Sequence, residues 1–186
     1  KREEVRQRIA LSLQAGCDTL LVTPLEDPNF VEALVDDELR WLSSETARLS
    51  MKIIYQPLNS GYTDQTLPAA LDHLRRLEQP NIGLMVDWLS IVSGGSDASC
   101  LDEIPVEWIY RVQFCDPADP RIPRESNPRQ ALNCFTDKLH SSGYQGPVGI
   151  LPNLRHGQPA DQIRQAATIL NSLWPDTSGL KSAGQE

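Results

Sequence analysis

Short apolar runs of strand length alternate along this chain with amphipathic helical stripes, and the alternation limits the available folds more sharply than any single motif. Val5, Ile9 and Leu13 recur every four residues, and Gly16 follows where a helix ends in a left-handed residue. The run Thr19 to Thr23 then predicts a strand, which Pro24 stops. The same order returns with the stripe Leu39, Leu42, Thr46, Leu49 and the strand Lys52 to Gln56. It returns again with Leu67, Leu71, Leu74, Leu77 and the strand Ile82 to Asp87. Ser93-Gly94-Gly95-Ser96 marks a loop in a shorter link before the strand Glu107 to Phe114. Ala131, Leu132, Phe135 and Leu139 predict a helix closed by Gly143; Pro147 to Leu151 form a strand; Ile163, Ala167, Leu170 and Leu173 mark a last helix. Five strands alternating with helices, roughly 30 residues apart, predict parallel βα units in one domain over residues 1–175. The polar segment 176–186 is expected to be a disordered tail.

Composition narrows the function classes. The 25 acidic and 17 basic residues leave a net charge of −8, which argues against non-specific nucleic-acid binding, since that needs a basic footprint. An anionic ligand would need a local Arg or Lys working against the global field. No apolar run approaches the ~18–20 residues of a membrane span. The amphipathic first stretch lacks the apolar centre of a signal peptide, so a cytoplasmic location is expected. Cys17, Cys100, Cys115 and Cys134 are widely spaced, with no C-x-x-C pair, which argues for reduced and mostly buried thiols and against a structural zinc site. The four tryptophans are expected in the core. His73 and His140, on helices, are expected to face solvent.

Parallel βα units build either an open doubly wound sheet or a barrel, and periodicity does not choose between them. The turn after the first strand reads Thr-Pro-Leu-Glu-Asp-Pro, without the glycines or lysine of a phosphate loop, which disfavours the nucleotide-binding sheet. Thr23, Gln56, Asp87, Gln113 and Asp116 close the strands on their carboxyl sides, where the catalytic face of a βα barrel lies. The segments KIIYQPLNSGYTDQTLPAALDHLRRLEQPNIGLMVDWLS, IYRVQFCDP and GYQGPVGILPN resemble the sugar phosphate isomerase/epimerase superfamily of xylose-isomerase-like TIM barrels. The resemblance runs from Lys1 to about Trp174 and implies the five C-terminal βα units of an eight-stranded barrel. The remaining units would come from the rest of the chain or from a partner.

The resemblance also implies a site. Relatives hold a divalent ion (Mn, Mg, Zn or Co) with Glu, Asp, His or Gln, and Glu from successive strand ends, and the two glutamates move protons beside a metal-polarised carbonyl. Here Gln56 stands for the first glutamate, Asp87 matches the aspartate, and Ser90 replaces a histidine three residues on. Arg111 replaces the histidine of His-Val-Gln, Gln113 is retained, and Leu151 replaces the last glutamate. Asp87 and Gln113 remain as metal-ligand candidates. Candidates for holding a sugar, sugar phosphate or similar polyol are Gln56, Asp87, Trp88, Arg111, Gln113, Asp116, Arg121 and His156. Asp87 could equally cap the turn after its strand, and Arg111 could pair with Asp116. Two functions follow from the resemblance. One is a sugar isomerase or epimerase, or a related keto-acid dehydratase. The other is a catalytically silent relative that binds a small ligand or a partner protein through the same mouth.

Overall fold

The computed structural model describes residues 1–115, 128–151 and 158–174. Its centre is a five-stranded, all-parallel sheet in the order β1-β2-β3-β4-β5, so every strand pairs with its neighbour in sequence. The strands are β1 (Thr19–Val22), β2 (Lys52–Tyr55), β3 (Ile82–Asp87), β4 (Ile109–Cys115) and β5 (Val148–Leu151). The helices are α1 (Arg2–Gln14), α2 (Glu32–Ala47), α3 (Leu67–Leu77), α4 (Trp88–Ser93), α5 (Pro128–Ser141) and α6 (Pro159–Leu173). Sequential parallel pairing with helices on one side curls the sheet into a half-barrel, the arc of a TIM-type fold.

Burial follows position in the arc. All six residues of β3 are buried, whereas the edge strands β1 and β5 are mostly half-buried. Outward-facing Ile53, Tyr55, Leu84, Val86, Val112 and Phe114 are at most 1% exposed and meet the helix layer. Phe114 and Phe135 of α5 pack edge-to-face with centroids 5.7 Å apart. Inward-facing side chains border an open concavity instead, and Leu21 there is 57% exposed.

Helix ends follow local chemistry. Gly16 takes φ +75° after α1, as a left-handed terminating residue should. Thr66 caps α3, its hydroxyl accepting from the Ala69 N–H, with Pro68 in the first turn. The charged faces of α1 and α2 are laced by ion pairs such as Arg6–Glu45 at 2.8 Å.

Several expectations change. The link after β3 is not loop alone: Trp88–Ser93 form α4, and Ala98–Glu103 add a 3-10 turn. Glu107 and Trp108 lie in a second 3-10 turn, so β4 starts at Ile109. Leu49 lies beyond the end of α2 and is 44% exposed. On α6 the expected Leu170 and Leu173 pack against the core, but Ile163 is 58% exposed and Ala167 is exposed, and the buried position in the first half of the helix is Ala166. Of the cysteines, only Cys115 is buried; Cys100 is half-buried, its thiol pushed up to about 11 by burial, and Cys17 and Cys134 are exposed. Trp88 is fully buried, whereas Trp41, Trp108 and Trp174 are half-buried. His140 is exposed as expected, stacked on Trp174 at 4.0 Å. Among the described residues, no helix is long and apolar enough to cross a membrane. The segment 176–186 lies outside the described residues.

Candidate ligand site at the carboxyl ends of the strands

Parallel strands aim all their carboxyl ends at one rim, and the polar strand-end residues meet there. An open cleft of about 660 Å³ at this rim is lined by Gln56, Asn59, Asp87, Ser90, Gln113 and Leu151, among others. Asp87 and Gln113 are direct register partners across β3 and β4. Gln56 is held at the end of β2 by its N–H, which donates to the Val22 carbonyl at 2.9 Å.

Asp87 is the centre of the cluster and is 5% exposed. Its Oδ2 accepts from Gln56 Nε2 at 3.1 Å and from Ser90 Oγ at 2.7 Å; its Oδ1 accepts from the Leu89 N–H at 3.3 Å. The residue thus caps α4 while facing the cleft. Burial pushes its carboxyl above the usual carboxylate range, opposed by hydrogen bonds from Ser90, the Leu89 N–H and Gln113.

The loop between β2 and α3 forms the second wall. Asn59 reaches α4, its Nδ2 donating to the Ser90 carbonyl at 3.1 Å and its Oδ1 accepting from Ser93 Oγ at 2.8 Å and the Gly94 N–H at 3.1 Å. Behind this loop lies a buried network that sequence reasoning missed. His73 of α3 is 3% exposed, correcting the solvent-facing expectation. Its Nδ1 lies 2.6 Å from Asp64 Oδ2 and its Nε2 2.9 Å from Asp36 Oδ1 of α2. The Tyr55 hydroxyl also donates to Asp64 Oδ2, at 2.6 Å. The hydrogen bond to Asp64 is the chief cause that raises the His73 pKa; burial opposes it, and Asp36 adds to the rise. A signal for this existed: His73 shares a helical face with Ala70, Leu74 and Leu77, all at most 2% exposed. Asn59, Ser60 and Ser93 at the cleft were also missed, because short polar loop residues carry no period.

Other expected site residues fare differently. Trp88 is withdrawn as a mouth residue: it is 0% exposed, with its ring 5.0 Å from that of Phe135, because the first residue of α4 turns into the helix layer. Arg111 is exposed on the inner wall, where an irregularity between Leu84 and Met85 in the β3–β4 register directs both Tyr110 and Arg111 inward. Asp116, Arg121 and His156 lie outside the described residues.

A half-barrel of this topology is what the comparisons with known proteins match. The family model described as xylose isomerase-like TIM barrel matches residues 1–173. The chain belongs to the xylose isomerase-like TIM barrel family. The 3-dehydroshikimate dehydratase of Pseudomonas aeruginosa is 29% identical over 162 residues, which cover 81% of this chain and 25% of that relative. This chain therefore spans about a quarter of the relative's length. An L-ribulose 3-epimerase structure aligns with TM-score 0.75 at 12% identity, covering 99% of this chain and 71% of the other. The IolI protein with a bound zinc atom aligns with TM-score 0.69 at 16% identity, covering 92% of this chain and 68% of the other.

The IolI structure carries a bound zinc atom. The described residues of this xylose isomerase-like barrel do not fit such an ion. One carboxylate and two neutral amides converge, and Asp87 Oδ2 already takes donors from Gln56 and Ser90. A donor N–H pointing at the carboxylate occupies the direction a cation needs, and Leu151 offers no lone pair at the fourth position. Among the described residues, no group of three or more His, Cys, Asp or Glu side chains could hold a metal.

Proposed function

We propose that this barrel binds a small sugar or polyol at the strand-end cleft by hydrogen bonding, without the metal-centred proton transfer of catalytically complete relatives. The observation that carries the reading is the state of Asp87. Its Oδ2 is engaged by neutral donors, Gln56 and Ser90, and its Oδ1 by the Leu89 N–H, where an ion-binding site would leave an oxygen open. Proton transfer at carbon needs a base poised near neutral pH, and neither Gln56 nor Leu151 can take a proton. The cleft keeps amides, hydroxyls and one carboxylate, the groups that recognise a hydroxylated ligand. Relatives named for a ribulose and for 3-dehydroshikimate support a small hydroxylated ligand class.

Metal analysis of the intact protein tests the reading. The expected result is no stoichiometric Mn, Mg, Zn or Co, and no thermal shift when these ions are added. The double variant Gln56→Glu, Leu151→Glu should gain metal binding, because it restores two anionic ligands beside Asp87. Stoichiometric metal in the unaltered protein would overturn the proposal.

A further inference from the structure

The concave wall of the sheet carries a charge balance opposite to that of the whole chain. Among the described strands, its charged side chains are Lys52, Asp87 and Arg111, while the chain as a whole stands at −8. Lys52 lies at the far end of the wall with Nζ 5.0 Å over the Tyr110 ring. Asp87 is enclosed by its donors. Arg111 is the charged group left facing the concavity: it is exposed, and it makes no ion pair among the described residues.

Its placement is specific. Arg111 sits two residues before Gln113 on the strand that lines the cleft, so about 7 Å of strand separates their Cα atoms. The guanidinium lies along β5, where a Cβ on Gly149 would come within 3.4 Å of Nη2. Residue 111 points inward because of the register irregularity after Leu84, which doubles the inward positions at Tyr110 and Arg111.

A guanidinium is a permanently charged planar fork that pairs with carboxylate or phosphate through two parallel hydrogen bonds. Against a net negative chain, an anion gains nothing from the long-range field, so its recognition has to be local. We propose that Arg111 is the anion-recognition residue of the cleft, and that the ligand is a polyol bearing a carboxylate or phosphate group. This rests on the polyol-binding reading above, and narrows it.

Calorimetry on the intact protein with gluconate and with its uncharged counterpart glucitol separates the two claims. Gluconate is expected to bind about tenfold tighter or more than glucitol, a preference that shrinks with added salt. Arg111→Met should remove the preference while glucitol affinity stays within about twofold, and Arg111→Lys should keep part of it. Circular dichroism on each variant confirms the fold, which an exposed side chain leaves intact. Equal affinity for the two polyols, or a preference that survives in Arg111→Met, overturns the assignment of Arg111 and leaves polyol binding standing. Failure of both polyols to bind overturns the polyol reading and this inference together.

Discussion

The His73 ring lies between two carboxylates at 2.6 and 2.9 Å, and its neighbours define what its charge does. Asp64 faces it from the β2–α3 loop and Asp36 from α2; Tyr55 shares Asp64, and Arg40 lies 3.6 Å from Asp36. The folded pKa of His73 is raised, so its contribution to stability is complete below the unfolded value of about 6.5 and fades as pH rises through the folded value. His73→Gln is expected to cost about 2–3 kcal/mol at pH 6, because it leaves two poorly solvated carboxylates without their shared cation. Urea unfolding at pH 6 and at pH 9 checks this: the difference from the unaltered protein should narrow at the higher pH. Asp87 works with the same sign in a more acidic window. Its raised carboxyl holds a proton in the fold longer than in the unfolded chain, so stability falls as pH rises from the ordinary Asp value to the folded one.

The β3–β4 pair shows how one element shapes the site. Gly83 lies under the Tyr110 ring, where an added Cβ would come within 2.4 Å, and the Tyr110 hydroxyl is tied to the Pro80 carbonyl at 3.1 Å. Gly83→Ala is therefore expected to destabilise by about 1–3 kcal/mol. Most of that cost should vanish in a Tyr110→Ala background, a coupling that a double-mutant cycle by thermal unfolding measures. The strands themselves were legible because apolar runs ending at Pro24, Pro57 or Asp87 carry their own boundaries. Trp88–Ser93 was not, since six residues are too few to display a helical period beside a buried strand. The inward doubling at Tyr110 and Arg111 was also illegible, because a bulge is a property of the pair and not of either strand. At the site, Gln56, Asp87 and Gln113 could be brought together from sequence because strand ends share one rim. The tie from Asp64 to His73 and Asp36 could not: His73 and Asp36 are 37 residues apart, on different helices, and no local pattern links them.

Among the described residues the sheet is an arc whose edge strands, β1 and β5, have no outer partner. Near β1, Leu25, Val31 and Leu34 are 50–62% exposed and border an apolar groove of about 640 Å³ between α1, α2 and the β1 rim, while Leu21 of β1 itself, 57% exposed, faces the concavity. Unpaired strand edges beside apolar surface favour association. The 186-residue chain expressed alone is expected to elute as species larger than its 20.7 kDa mass. Light scattering on a size-exclusion column checks this, and Leu21→Lys should shift the distribution toward the monomer. Order within the arc has a further consequence, for the time course of folding. Each strand waits only for the one before it, so no pairing demands closure of a loop longer than about one βα unit. Such a chain can grow its sheet one unit at a time from any starting pair. The central pairing of β3 with β4, which joins the most buried strand to the longest, is the natural place for growth to begin.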